Sequence, residues 1–133
     1  MNQETEGLLS PVLRDIRLKK VAAFIKPKST VLDLACGNGY LADFLPAGCE
    51  YYGIDRQEPA SMDRFKGFLR LDLMDVSAPE RVREWLVHEP DYIYNAAFLE
   101  HVSAPNSFLN QFLPLLDKDG LFVGTTPHPR GRM

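Results

Sequence analysis

Five short apolar runs punctuate the chain, near residues 30–35, 50–54, 67–71, 91–95 and 120–126, separated by segments carrying glycine, proline and charge. Runs of this length bounded by such residues read as buried strands. Between them apolar positions fall at helical spacing. Leu18, Val21, Ala22 and Ile25 form a stripe that predicts a helix over 11–26, ended by Pro27. Further helices are predicted over 39–46, 78–89 and 105–116. Ser77-Ala78-Pro79-Glu80 reads as a capping box for the third, and Pro114 kinks or ends the last. The 56–66 connection, with Pro59 and scattered charges, reads as a short helix or a loop. No repeat, linker or low-complexity tract divides residues 1–133, which read as a single domain.

Strands alternating with helices require a parallel sheet covered by helices, so the fold class is α/β. Right-handed crossovers then give the strand order 3-2-1-4-5. In open sheets of this kind ligands bind outside the carboxyl ends of the strands, where the order reverses, here between strands 1 and 4. Ala35 to Gly39, Asp55, Asp72 and Asn95 all fall at such ends.

The richest stretch is Val31 to Leu41, VLDLACGNGYL, an apolar strand running into a Gly-x-Gly turn and a helix. Gly37 and Gly39 let the backbone turn sharply and approach a ligand, and the N–H groups of the following helix face it. Sixteen residues after Gly39, CEYYGIDR forms a second strand ending on Asp55, whose carboxylate is placed to accept hydrogen bonds from both hydroxyls of a ribose. Gly37-Asn38-Gly39-Tyr40-Leu41-Ala42 even satisfies the G-x-G-x-x-A dinucleotide fingerprint. Asp33 argues against a dinucleotide, because a carboxylate four residues before the first glycine repels a pyrophosphate. A zwitterion bearing an ammonium and a sulfonium would welcome that charge.

On these residues the chain resembles the class I S-adenosylmethionine-dependent methyltransferases. VLDLACGNG is similar to their first motif, with Ala35 where many members have glycine; YYGIDR is similar to the second, LRLDLMD (Leu69 to Asp75) to the third, and DYIYNAAFLEHV (Asp91 to Val102) to the fourth. FLPLLDKDGLFVGTTP, from Phe112 to Pro127, is similar to the family's loop and fifth strand. The resemblance covers about three quarters of the chain, in order. It implies a Rossmann-like three-layer sandwich with S-adenosylmethionine as cofactor, S-adenosylhomocysteine as product and a small-molecule acceptor. Asp33, Ala35, Gly37, Gly39, Asp55, Arg56, Asp72, Leu73 and Asn95 are the implied cofactor-binding residues, Asp72 and Leu73 beside the adenine. Methyl transfer from a sulfonium is in-line and its leaving group is already activated, so neither a metal nor a covalent nucleophile is required.

Several of these residues also have plainer readings. Beside the favoured cofactor roles, Asp33 has the plainer reading of a solvated strand end, Asp55 of a cap for the 56–66 segment, and Asp72 with Asp75 of a simple turn. Glu100-His101 offers a histidine that titrates near neutrality as a base, whereas a helix-packing histidine is the commoner case. No catalytic residue is assigned, and His101 is the weak candidate. Asn95-Ala96-Ala97-Phe98 resembles the Asn-Pro-Pro-aromatic motif of nitrogen-directed methyltransferases without its two prolines. His128 either lines an acceptor pocket or belongs to a frayed tail.

Composition adds exclusions. A formal charge of −3 makes no electrostatic case for nucleic acid. No run of eighteen apolar residues occurs, and MNQETEGLLS lacks the basic and apolar regions of a leader, so the expected location is cytoplasmic, without a membrane partner. Cys36 and Cys49 have no metal-ligand or CxxC spacing and read as reduced thiols. The sequence stops seven residues after Thr126, where members of the family continue with a helix and strands six and seven. Three readings follow: an enzyme whose acceptor site is open or completed by a second chain, a cofactor-binding module without transferase activity, or a shortened chain. LFVGTT would then be an unprotected sheet edge, and a homodimer or partner chain across strand 5 is expected.

Overall fold

A computed structural model describes residues 3–96 and 105–124 of the chain. Five parallel strands form one sheet in the order β3-β2-β1-β4-β5: β1 Thr30–Leu34, β2 Glu50–Asp55, β3 Gly67–Arg70, β4 Tyr92–Asn95 and β5 Leu121–Gly124. Each predicted strand is present, and the order is the expected one. The central strands are mostly apolar because both sheet faces are covered; in β1, Val31, Leu32 and Leu34 are fully buried.

Strand alternation sorts the core into two halves. Leu32, Leu34, Tyr52, Ile54 and Ile93 point to the side packed by Val82 of helix α2 (Ala78–Trp85) and by Phe108 and Phe112 of helix α3 (Pro105–Phe112). Val31, Tyr51, Tyr92 and Tyr94 point to the other, covered by Leu18 and Val21 of helix α1 (Gln3–Ala22), by Ile25, and by Leu41 of a 3-10 turn, Tyr40–Phe44. The predicted stripe Leu18, Val21, Ala22 and Ile25 is buried as expected.

Differences lie at helix ends. The 39–46 segment is a 3-10 turn rather than an α-helix. Gly39 precedes it in the left-handed region at φ 80°, and Leu45, held extended ahead of Pro46, closes it, which leaves too few residues for α-helical bonding. The capping box does not form: Ser77 makes no side-chain cap, and its hydroxyl donates to Asp75 Oδ1 at 2.8 Å instead. Helix α1 starts before Pro11, whereas α3 stops before Pro114, with a 3-10 turn over Leu113–Leu115. Between β2 and β3, residues 56–66 form an irregular loop rather than a helix. Among the described residues, no helix is long and apolar enough to cross a membrane.

Candidate functional site

The β1 turn is built from three residues in the left-handed region: Ala35 (φ 63°), Gly37 (φ 59°) and Gly39 (φ 80°). Two backbone bonds hold it, Cys36 N–H donating to the Ile54 carbonyl at 2.9 Å and Gly39 N–H to the Cys36 carbonyl at 3.0 Å. Asp55, at the end of β2, accepts from the Gly37 N–H at 2.9 Å and from the Gln57 N–H at 3.2 Å. Asp55 is therefore part of the scaffold of the turn, and through Gln57 it also caps the start of the 56–66 segment.

An L-residue in the left-handed region costs about 1–2 kcal/mol. At Ala35 glycine removes that strain and adds about 0.5–1 kcal/mol of unfolded-chain entropy in opposition. Ala35→Gly is expected to stabilise the protein by roughly 0.5–1 kcal/mol, read as a Tm higher by about 2–5 °C in thermal unfolding. An unchanged or lower Tm would show that the strain is relieved elsewhere.

On one side of the turn lies a cleft of about 410 Å³ lined by Ala35, Asp55, Arg56, Leu71, Asp72, Leu73 and Met74. Asp72 caps its own turn, Oδ1 accepting from the Met74 N–H at 2.9 Å, and its exposed carboxylate lines the cleft. Leu73 is buried beneath, while Met74 stands 58% exposed at the rim.

On the other side a smaller hollow, about 110 Å³, is lined by Asp33, Ala35, Cys36, Tyr40, Leu41, Tyr94 and Ala96, with Arg14, Arg17 and Leu18 of α1. Asp33 is 3% exposed. Its Oδ2 accepts from the Tyr51 hydroxyl, and its Oδ1 has no hydrogen-bond partner among the described residues. Burial pushes its carboxyl up to about 8, Asp55 adding to the rise and the Tyr51 hydrogen bond opposing it. The same burial, with the charges of Asp33 and Asp55, pushes the Cys36 thiol up, so it is not a nucleophile near neutral pH.

The turn thus brings together Asp33, Ala35, Gly37, Gly39, Asp55, Arg56, Asp72 and Leu73. Asn95 is turned inward. It is fully buried, and its Nδ2 donates to the Leu34 carbonyl at 2.9 Å, tying β4 to β1 at the point where the strand order reverses. His101 and Glu100, with Ala97, Phe98 and His128, lie outside the described residues. Tyr51, Tyr94, Tyr40, Arg14 and Arg17 were not expected at the site. Tyr51 and Tyr94 share a face with Asp33 through the register Val31↔Tyr51, Asp33↔Gly53 and Asp33↔Tyr94, which two-residue alternation reveals only once the strands are aligned.

Comparison with solved structures finds the same architecture in methyltransferases. The plantazolicin methyltransferase BpumL, in complex with a pentazolic desmethylPZN analogue and SAH, aligns with a TM-score of 0.63 at 21% identity over 92% of this chain and 51% of its own. A TehB-like SAM-dependent methyltransferase from Corynebacterium glutamicum aligns at 0.58 with 18% identity over 99% and 78%. A chain from the complex of the Haloferax volcanii Trm112 methyltransferase activator with a methyltransferase aligns at 0.60 with 20% identity over 81% and 50%. The present chain spans about half the length of the first and third of these. Comparison with curated protein sequences gives no match. A family model described as a methyltransferase domain matches residues 8–132, nearly the whole sequence, and the chain belongs to that family.

Proposed function

We propose that this chain binds S-adenosylmethionine across the β1 turn and acts as a methyltransferase that transfers a methyl group to a small-molecule acceptor. The observation that carries the reading is the division of one crevice by the turn. A larger cleft presents Asp55 and Asp72, suited to a ribose and an adenine, and a smaller hollow holds the buried carboxylate of Asp33, suited to a cation. Two features fit such a ligand. Asp33 Oδ1 is a buried acceptor without a partner among the described residues. At Gly37 a Cβ would meet nothing within 4 Å, so the missing side chain leaves room on the crevice side rather than relieving a clash inside the protein.

The cofactor would supply a methyl group on a positively charged sulfur. The chain's own residues hold and orient: Asp55 and Arg56 at the ribose, Asp72 and Leu73 at the adenine, Ala35 and the N–H groups of the turn along the ligand, and Asp33 at the ammonium. Asn95 acts through the backbone, fixing the β1 and β4 ends against each other. Isothermal calorimetry with S-adenosylmethionine, S-adenosylhomocysteine and NADH tests this reading. Binding of the first two in the micromolar range or somewhat weaker is expected, and tighter binding of NADH would refute it. Asp55→Ala should weaken S-adenosylhomocysteine by about 1.5–3 kcal/mol, roughly 10- to 150-fold. Because Asp55 also holds the Gly37 N–H, folding stability should fall as well, by about 0.5–1 kcal/mol at this solvated position. Unchanged affinity would misplace the ribose.

The alternative reading is a cofactor-binding module or subunit that needs another chain for its acceptor site. Among the described residues β5 pairs only with β4, leaving its outer edge open, and Leu121 is 59% exposed on it. Helix α1 likewise leaves Val12, Leu13 and Ile16 exposed. Open strand edges and exposed apolar side chains favour association. A homodimer or a complex with a partner chain across β5 is the expected assembly, and the Haloferax volcanii complex is a precedent for a methyltransferase with a bound activator. Light scattering over a range of concentrations, with Phe122→Lys and Val123→Lys to block the edge, reads the assembly directly. A wild-type monomer at all concentrations, with no aggregation, would remove the homodimer. We place the protein in the cytoplasm, where its free cysteines, Cys36 and Cys49, are compatible with a reducing environment.

A further inference from the structure

Asp33 pairs with Gly53, and the place a side chain would take there is filled by the Phe65 ring and Cys36 Sγ. Tyr51, two residues before Gly53 on the same face, stacks on that Phe65 ring with centroids 5.2 Å apart, and its hydroxyl donates to Asp33 Oδ2. Both residues are 3% exposed. The carboxylate is thus gripped by one oxygen and left with one open acceptor, Oδ1, at a hollow too small for more than a compact group.

We propose that Tyr51 is a positioning residue of this site: by fixing one oxygen of Asp33 it reserves the other for a cationic N–H group, and entry of that group expels the proton Asp33 carries in the empty hollow. The inference rests on the S-adenosylmethionine reading and adds to it a proton and a residue. Desolvation favours the neutral carboxyl, held up to about 8, until a cation arrives to compensate the charge. The exchange balances: the Oδ1–H bond breaks, the proton leaves to solvent, and the ligand's ammonium donates to the carboxylate so formed. No electron moves.

The neighbouring groups do not supply this proton. Arg14 and Arg17 of α1 border the hollow, Arg14 engaged by Asp15 at 3.1 Å and by the Tyr40 ring at 3.9 Å, and both stay cationic. Burial pushes the Cys36 thiol and the Tyr51 phenol up, away from neutrality. Tyr94 from β4 and Asp55 across the turn complete the described surroundings. Asp33, raised to about 8, is the group whose titration overlaps working pH.

Calorimetry of the full chain with S-adenosylhomocysteine, between pH 6 and 9 in buffers of differing ionisation heat, counts the protons. Close to one proton should be released per ligand near pH 7, and affinity should be about 50-fold weaker at pH 6 than at pH 8. The ligand's own amino group, that of a free amino acid, begins to titrate only at the upper end of this range, and it does so equally for every variant. Tyr51→Phe removes the bond that opposes the raised carboxyl. It should move the acid limb up by about one pH unit, weakening binding about tenfold at pH 7 and less than about threefold at pH 9. Asp33→Asn should abolish proton release. A purely structural Tyr51 would lower affinity evenly at every pH, and that parallel profile would overturn the proposal. So would wild-type binding without proton release, a result that needs no variant to fold and leaves the cofactor reading standing. Absence of binding at any pH would sink both.

Discussion

Asp33→Asn is expected to make the ligand-free protein more stable and at the same time nearly unable to bind its cofactor. In the folded chain the Asp33 carboxyl is raised from 3.8 to about 8, chiefly by burial. A raised folded value means that the folded state holds the proton more tightly than the unfolded state does. The associated stability is fully present below about pH 4, declines as pH rises, and is gone above about pH 8. A shift of this size corresponds to several kcal/mol. The neutral amide avoids the loss, while its own unpaired N–H offsets part of the gain, leaving roughly 2–4 kcal/mol in favour of the variant at pH 8. Urea unfolding at pH 4 and pH 8 checks both the sign and the window. The variant should be the less stable at the lower pH, by the cost of that N–H, about 1–3 kcal/mol, and the more stable at the higher. Binding moves the other way, because an amide cannot compensate a buried ammonium, and S-adenosylhomocysteine affinity should fall about a hundredfold or more. Equal stability at both pH values would mean that Asp33 is ionised and solvated in the empty site.

Such a residue is destabilising unless a ligand compensates it, and that is the physical sense in which Asp33 points to function. The sequence carried part of this. VLDL followed by two glycines and, sixteen residues on, an acid at a second strand end are contiguous signals, since each depends on residues a few positions apart. They placed Asp33, Gly37, Gly39 and Asp55 on one crevice, as the sheet order requires. The contacts that decide chemistry there were not contiguous. Tyr51 reaches Asp33 because the β1 and β2 register puts the two side chains on one face, two residues out of step, and Asn95 is tied to Leu34 by the β1 and β4 register on the other side. Helix ends were the least legible element. A helix was expected over 11–26, yet α1 runs from Gln3 to Ala22; Ser77 was read as a cap, yet Asp75 takes its hydroxyl. Both cases are competitions between partners whose outcome local sequence does not settle.

The two glycines of the turn look alike in sequence and should behave differently when each receives one methyl group. A Cβ on Gly37 meets nothing within 4 Å, whereas on Gly39 it would lie 2.5 Å from Phe65 Cζ. Both substitutions pay the left-handed strain of about 1–2 kcal/mol. Gly39→Ala adds an overlap of about 1–3 kcal/mol, because the Phe65 ring is confined by Tyr51 on one face and by Phe68 at 5.5 Å. The expected total for Gly39→Ala is therefore roughly 2–5 kcal/mol of lost stability, by urea unfolding. Gly37→Ala should lose only about 1–2 kcal/mol of stability, while its methyl group, standing in open space beside the turn, should weaken S-adenosylhomocysteine more than that strain alone explains if the ligand follows the turn as proposed. A double-mutant cycle isolates the contact: with Phe65→Ala already present, the overlap has no ring to meet, so Gly39→Ala should add little beyond its backbone strain. Additive effects of the two changes would show that Phe65 yields freely. In that event the aromatic stack does not hold Tyr51 in place, and the grip of Tyr51 on Asp33 would have to come from the strand register alone.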